Sequence, residues 1–591
     1  MAHVLPSASL AFAPKVSLRG SLTAGGGVAD DDEGEESLFA INGTGTNGTA
    51  TGTAAGKAGC CGLWPRGGVV CCGRRWGGGG GFGAHDIGFL GGLCLMSNNI
   101  CGSAMVQLPG LNQQAGWVGP TLAFILVAAA TTMSALLLAR AIASLPGNAR
   151  FGQRWEMGRV AQELLPRWAY LVTVFFLVAS FIAQNISNII VSAQSWDGIF
   201  LAAGGHTCAL QMYPPTGGSP MVCIDGDNDN VVTDSPFGAD AYVISAGYLL
   251  VLVATVPLSY LNLDDNIWVQ VGGMALLVAC VVVWVAQFIG LGLSSALMPP
   301  FATTASGGPT QYTSVLPTVL FNYGFVATTP SWLNEKSAST STTRTLLASV
   351  GLATFLYLAL GLFGGLSLAA FGTGADVLSV ILEGGVPGMW EVSRVAAYVF
   401  PIVNLMASIP VFAVIVRYNL VNTGWLPVWA ANLVAVGAPW ALSLVFYAGN
   451  QLTDLINWSS ALLFVPINLL IPVALYLASR AAAPPARAAV TDAAWSSSLS
   501  DTFTGGSAAG SGSGARRGVK EALLADTGDV GVDADADGDD SPPEDIHAVP
   551  AWWMACLPER TTARALFGFS ILLGAASLGL QIYSQQQAGA S

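Results

Sequence analysis

The chain has 591 residues, of which 53% are hydrophobic and only 10% charged, and its mean hydropathy is +0.58. About a quarter of the residues of a soluble domain are charged, so this composition excludes a soluble protein of such length and indicates a polytopic membrane protein. The net charge of −13 is concentrated in Asp30 to Glu36, with six acidic groups, and Glu521 to Asp545, with ten; without those sixteen the remainder carries +3. The acidity therefore belongs to two flanking stretches, and no basic, aromatic-interleaved surface suggests nucleic acid as a partner.

Residues 1–84 are rich in Gly, Ala, Thr and Ser and lack apolar periodicity, which predicts a disordered cytoplasmic tail. Within it, Cys60-Cys61 and Cys71-Cys72 lie near the first apolar stretch and beside Arg74 and Arg75. This context permits S-acylation, with metal ligation or no special role as the alternatives. Eleven stretches of about 20 or more apolar residues follow: 87–106, 118–143, 168–194, 241–260, 267–291, 314–333, 345–371, 392–418, 427–447, 453–478 and 564–583. They predict an all-α membrane protein with eleven transmembrane helices. A transporter core with spans 1–10 would occupy residues 85–480, a disordered cytoplasmic linker 481–560, and span 11 with a short outer tail 561–591.

Arg140, Arg150, Arg154, Arg159 and Arg167 follow the second span, Lys336 and Arg344 the sixth, and Arg417 ends the eighth, which places these connections in the cytoplasm. The connection after the third span holds Asp197, Asp225, Asp227, Asp229, Asp234 and Asp240 without Lys or Arg, as expected of the opposite side. Asp264 and Asp265 fall on the cytoplasmic side, where acidic residues weigh little in this rule. Cys208 and Cys223 share the outer connection, where an oxidising compartment favours a disulfide. The acidic run from Asp225 to Asn230 lacks the Gly at position six and the acid at position twelve of a calcium loop, and reads as solvated. Sequons at Asn42 and Asn47 would stay unmodified in a cytoplasmic tail. Phe151 to Leu165 places Trp155 among arginines, as in a short helix on the cytoplasmic membrane surface.

Two spans, five apart in order, are broken midway: Asn98-Asn99-Ile100-Cys101-Gly102-Ser103 with Pro109, and Asn322-Tyr323-Gly324 with Pro330. Backbone groups exposed by unwinding inside a bilayer cost several kcal/mol each unless satisfied. Matching breaks in two halves point to a 5+5 inverted repeat with discontinuous helices 1 and 6 and a site between the half-helices. After Gly102 a half-helix begins whose free N–H groups suit a carboxylate, and Gly102 itself allows close approach to the backbone. Before Tyr323 another ends, presenting carbonyls that suit an ammonium group. Such a pair fits a zwitterion, and an α-amino acid is the common zwitterionic metabolite; ordinary kinked helices are the plainer alternative. The candidate substrate contacts here are Asn98, Asn99, Ile100, Cys101, Gly102, Ser103, Asn322, Tyr323, Gly324 and Thr328.

The run from Gly102 to Pro109, followed by Ala115-Gly116-Trp117, resembles the first-span signature of the amino acid/auxin permeases. Val319 to Tyr323 with Pro330 to Glu335 is similar to that family's sixth span, and Pro257-Leu258 with Asn262 to Asn266 to its connection between spans 4 and 5. The resemblance covers roughly residues 85–480. It implies the leucine-transporter-type fold, with span 11 peripheral and alternating access driven by a proton or sodium gradient. Ala104 replaces a usual Gly and Gln107 a usual small residue, which implies a smaller or more polar pocket. The fold also implies substrate contacts from span 3, where Gln184, Asn185, Ser187 and Asn188 serve either as contacts or as interhelical glue. It further implies a cation between spans 1 and 8, where Asn404 and Ser408 are candidate ligands or packing residues.

No acid or base lies deep within a span, which favours neutral amino acids. If protons couple, His85, Asp86 and Glu335 are the nearest titratable groups, whereas sodium would need none. Neither a Walker run, a His-Glu-x-x-His motif nor a nucleophile elbow occurs, so no enzyme activity and no cofactor is expected. The sequence thus predicts a secondary transporter of amino acids in the plasma membrane or a vacuolar or other endomembrane, with an amino-acid sensor signalling through its tails as the rival.

Overall fold

The computed structural model describes residues 69–71, 74–76, 87–213, 220–225, 237, 242–261, 266–302, 312–373, 376–382, 387–424, 426–447, 451–482 and 559–590. Asn42, Asn47, Cys60, Cys61, Cys72, His85, Asp86, Asp264, Asp265, the run after Asp225 to Asn230 and most of the linker lie outside the described residues. Within the stretch expected to be a tail, β1 (Val69–Cys71) and β2 (Arg74–Trp76) form an antiparallel hairpin.

The membrane body begins with α1 (Phe89–Ile100), a tight turn over Ser103–Gln107 and α2 (Leu108–Ala115), bent by 60° where the break was expected. Gly116 joins this pair to α3 (Val118–Ala143) at φ 77°, where a Cβ would stand 2.7 Å from the Phe301 Cα, so both conformation and space require glycine. Next come α4 (Met157–Leu164), α5 (Arg167–Gly204), α6 (Ala246–Leu258) and α7 (Ile267–Leu291). The second interrupted element consists of α8 (Val315–Asn322), a turn over Val326–Thr328 and α9 (Thr329–Leu333). It is followed by α10 (Thr342–Ser367) and α11 (Val377–Leu382). The helices α12 (Glu391–Phe400) and α13 (Met406–Asn422) join through a π turn into one rod. Then α14 (Val428–Asn432), α15 (Ala438–Ser443), α16 (Gln451–Ser459), α17 (Ile471–Ala482) and α18 (Glu559–Ala590) complete the described chain.

Among the described residues, seven helices are long and apolar enough to cross a membrane, or eight if the bent first pair counts as one span. The remaining expected spans appear as the shorter apolar helices Ala246–Leu258 and Val428–Ser443 and as the interrupted α8–α9 segment. Large side chains such as Val253, Trp268, Phe355 and Leu572 are exposed on these helices, as lipid-facing positions should be. The peripheral α18 is mostly unburied and is tied to α17 by Arg560 Nη2 donating to Arg480 O at 3.1 Å.

Three features depart from the sequence reading. First, α5 runs 38 residues, about 57 Å at 1.5 Å per residue, and outruns a hydrocarbon core of about 30 Å. Its last turns therefore carry Asp197 inside a helix rather than in a loop, fully buried and accepting from Gly247 N–H at 2.8 Å and Tyr447 OH at 2.8 Å. Second, an antiparallel sheet of order β4-β3-β5 covers this end: β3 (His206–Tyr213), β4 (Met221–Asp225) and β5 (Tyr242–Ser245). Its register sets Cys208 opposite Cys223, and the two form the expected disulfide. Third, helix structure in the Phe151–Leu165 segment is confined to α4, and Phe151 and Trp155 are buried against protein, not laid on a lipid surface.

Candidate functional site

The two interruptions meet. Asn99 Nδ2, in the last turn of α1, donates to Thr328 Oγ1 at 3.3 Å, and that hydroxyl donates to Phe325 O at 2.7 Å. Both breaks are fully inside the protein, so their freed backbone groups must be satisfied there. Neighbouring spans supply several of the partners. Tyr357 OH, from α10, donates to Ile100 O, which also accepts from Gly102 N–H at 2.8 Å. Asn404 Nδ2, from the π turn between α12 and α13, donates to Cys101 O at 2.6 Å. At the second break, Val319 O and Phe321 O accept from the amides of Tyr323 and Gly324, while Ala327 N–H donates to Asn468 Oδ1 at 3.3 Å. The Ser103 and Ala104 amides open the turn after Gly102, where the first N–H groups of a helix have no acceptor in their own turn.

Span 3 presents one helical face to this junction. Ser187 Oγ lies 2.7 Å from Ser103 Oγ, and Gln184 Nε2 is 4.0 Å from where a Gly102 Cβ would stand. Residues 184, 187 and 188 share that face by their i, i+3, i+4 spacing. Gly102 has extended backbone angles, φ −90° and ψ −171°, and no atom closer than 3.9 Å to its ideal Cβ. There is therefore room for one methyl group between its backbone and Gln184.

Buried amide oxygens gather at these helices. The side-chain oxygens of Asn98, Asn99, Gln184, Asn188, Asn322 and Asn404 are all buried and accept no hydrogen bond. A buried acceptor without a donor costs about 1–3 kcal/mol. These six, with Asn185 Oδ1 on span 3, are acceptors of the kind that suit an ammonium group, a hydrated ligand or a hard cation.

Not every candidate faces the junction equally. Asn98 Nδ2 turns to α7, donating to Gln270 O at 2.8 Å and Gln270 Oε1 at 2.9 Å, and Gln270 Nε2 continues to Ala407 O at 2.8 Å. Asn322 Nδ2 returns to Thr318 O in its own helix at 3.0 Å. Tyr323 OH pairs with Thr354 Oγ1 at 2.6 Å, and its ring packs against Phe124 and Tyr357. Gly324 differs from Gly102: a Cβ there would lie 2.2 Å from Phe464 Cε1, so this glycine serves close packing. Ser408 Oγ donates to Asn404 O at 3.1 Å, which leaves Asn404 Oδ1 as the uncommitted oxygen of that pair.

The sequence reading missed Tyr357, Gln270 and Asn468, which complete the shell around the breaks. Each is a single polar residue in an apolar run, and an amide beside Pro466, as Asn468 is, was the one available signal. Glu335 also has a different setting from a free titratable group: its Oε1 pairs with Arg154 Nη2 at 3.0 Å.

Among solved structures, the chain is similar to Mhp1, a nucleobase-cation-symport-1 family transporter in a closed conformation with bromovinylhydantoin bound. The identity is 15% over 67% of this chain and 79% of that one, with a TM-score of 0.45. No family model matches the sequence, and no curated protein matches it. The fold and site define the chain as a mostly helical, multi-pass membrane protein with two interrupted helices in contact.

Proposed function

We propose that this protein is a secondary transporter of small zwitterions, neutral amino acids foremost, working by alternating access with a proton or sodium gradient as its energy source. The observation that carries the reading is the junction of the two breaks at Asn99 and Thr328, on helices that with their neighbours carry buried amide oxygens accepting no hydrogen bond. In this reading the substrate carboxylate meets the amides at Ser103 and Ala104 beside Gly102. Its ammonium group meets carbonyl and amide oxygens from the α8 end, Asn99 and span 3. The eleven-span, 5+5 inverted-repeat arrangement and the kinship with amino acid/auxin permeases belong to the same proposal, supported by the paired breaks and by the motifs from Gly102 to Trp117 and Val319 to Glu335. Asn404 Oδ1 is the candidate contact for a coupling cation.

The test is uptake of a labelled amino-acid panel into proteoliposomes under an imposed pH gradient and, separately, a sodium gradient. Uphill accumulation under one of them supports the reading and identifies the ion. Binding without accumulation under either would favour a sensor, and the absence of both would remove the amino-acid assignment.

A further inference from the structure

The face bearing Arg150, Arg154 and Arg159 carries a buried acid that the transport site does not use. Glu156 is 0% exposed and sits between the ends of several spans. Its Oε1 accepts from Asn334 Nδ2 at 2.9 Å, and its Oε2 accepts from Ser331 Oγ at 2.7 Å and Asn419 Nδ2 at 3.3 Å. Ser331 belongs to α9 and Asn334 follows it, so both move with the second half of the interrupted sixth span; Asn419 lies near the end of α13. The same elements are locked around it by Trp155 N–H on Asn334 Oδ1 at 3.0 Å and Gly158 N–H on Asn419 Oδ1 at 2.9 Å. Ile87, at the head of span 1, donates its N–H to Glu335 O at 3.1 Å. One carboxyl group thus forms the hub of a latch that holds spans 6 and 8 to the connection after span 2, while the Ile87 bond ties span 1 to the same end of span 6.

The three groups that hydrogen-bond Glu156 are neutral. The charged and titratable groups around it have acceptors or rings of their own. Arg154 pairs with Glu335 and lies 4.1 Å over the Tyr418 ring, and Arg159 lies 4.6 Å over Trp155. Arg417 donates to Ser259 O and Leu261 O, and Lys336 Nζ to Thr340 O. Burial pushes the Glu156 carboxyl above its ordinary value, opposed by the Ser331 hydrogen bond, the Arg154 charge and the two asparagines. The Ser331 hydroxyl can donate to a carboxylate or accept from a carboxylic acid, so the closed network accommodates the proton.

We propose that Glu156 is the proton-carrying group of this gate, protonated while it latches spans 6 and 8 and ionised once the latch parts and water reaches it. The step transfers one proton from the carboxylic acid to water on that side, with no other bond changed. Because the raised value belongs to the closed state, latch stability is fully present below the ordinary glutamate range, near about pH 4, and is lost as pH rises through the raised value. This inference rests on the transport reading for its purpose, since a gate serves a carrier.

The experiment uses the full chain with its disulfide intact and every other cysteine except Cys101 replaced by alanine. Cys101 is buried at the first break and reports opening through its rate of maleimide labelling. Corrected for thiol ionisation, labelling from the latch side is expected to rise as pH climbs above the ordinary glutamate range, by up to about tenfold per unit for one proton. Glu156→Gln should abolish the dependence, and Glu156→Asp should keep it with a shifted midpoint. Flat labelling in the parent chain, or a pH dependence that survives Glu156→Gln, overturns the proposal. Should Glu156→Gln fail to fold, the parent and Glu156→Asp profiles decide: an unshifted midpoint overturns it. Glu156-dependent labelling in a protein that accumulates nothing would remove transport and leave the latch. Uphill proton-driven uptake by Glu156→Gln would do the reverse.

Discussion

Gly102 and Gly324 stand at the two breaks, yet adding one methyl group to each should have opposite consequences. At Gly102 the new Cβ would meet Ile100 O at 3.9 Å and Gln184 Nε2 at 4.0 Å, ordinary contacts, on a backbone any residue can adopt. Gly102→Ala should therefore leave stability unchanged or raise it by about 0.4–1 kcal/mol through the unfolded chain. At Gly324 the Cβ would press to 2.2 Å and 2.5 Å from the Phe464 ring, itself packed at a tilt 5.0 Å from Phe321. Overpacking of that kind costs about 1–3 kcal/mol. Function should move the other way, because only the Gly102 methyl group shields backbone that a substrate would approach. Losing one charge-assisted contact of about 1.5–3 kcal/mol corresponds to roughly ten- to a hundredfold weaker uptake. Gly102→Val should extend this to full loss of transport in a folded protein. The assay is equilibrium unfolding in detergent beside initial uptake rates for both alanine variants. Normal uptake by Gly102→Ala, or destabilisation of Gly102→Ala as large as that of Gly324→Ala, would refute the assignment of Gly102 to the site.

Tyr357→Phe removes one of two donors to Ile100 O and should cost about 0.5–1.5 kcal/mol in the same unfolding assay, since Gly102 N–H remains. Asp197→Asn keeps an oxygen for Gly247 N–H but replaces the Tyr447 OH acceptor, and since that hydroxyl retains Ser245 Oγ at 3.1 Å a loss of about 0.5–1.5 kcal/mol is expected. Reduction should add two thiols for the Cys208–Cys223 bridge, read as a mass difference after alkylation; over its separation of 15 residues the bridge contributes about 3 kcal/mol on a chain-entropy estimate, so the reduced protein should unfold earlier.

The membrane body was legible in the sequence because long apolar runs in this composition have few other uses, and the α1–α2 and α8–α9 breaks were legible because amides, Gly and Pro interrupt those runs. What the breaks need to be stable was not. Tyr357, Gln270 and Asn468 reach them from spans distant in sequence, and their pairing depends on how helices rotate about their axes, which hydropathy does not encode. The two glycines also looked alike in sequence; only Phe464 distinguishes Gly324 from Gly102. Glu156 was hidden for a similar reason. Its neighbours Trp155 and Arg159 suggested an amphipathic surface segment, whereas Asn334 and Asn419 supply the hydrogen bonds that let an acid be buried there. The β4-β3-β5 sheet left only its two cysteines and scattered alternation as signs.

The central claim is that the two interrupted helices together form the binding site, and the most direct measurement is a cryo-EM structure with the amino acid that the protein accumulates. The account predicts ligand density beside Gly102, its carboxylate within hydrogen-bond distance of the Ser103 or Ala104 amide and its ammonium group on oxygens from Asn99 or the Leu320–Asn322 end of α8. Density placed elsewhere in the bundle, with Gly102 and Thr328 untouched, would contradict it.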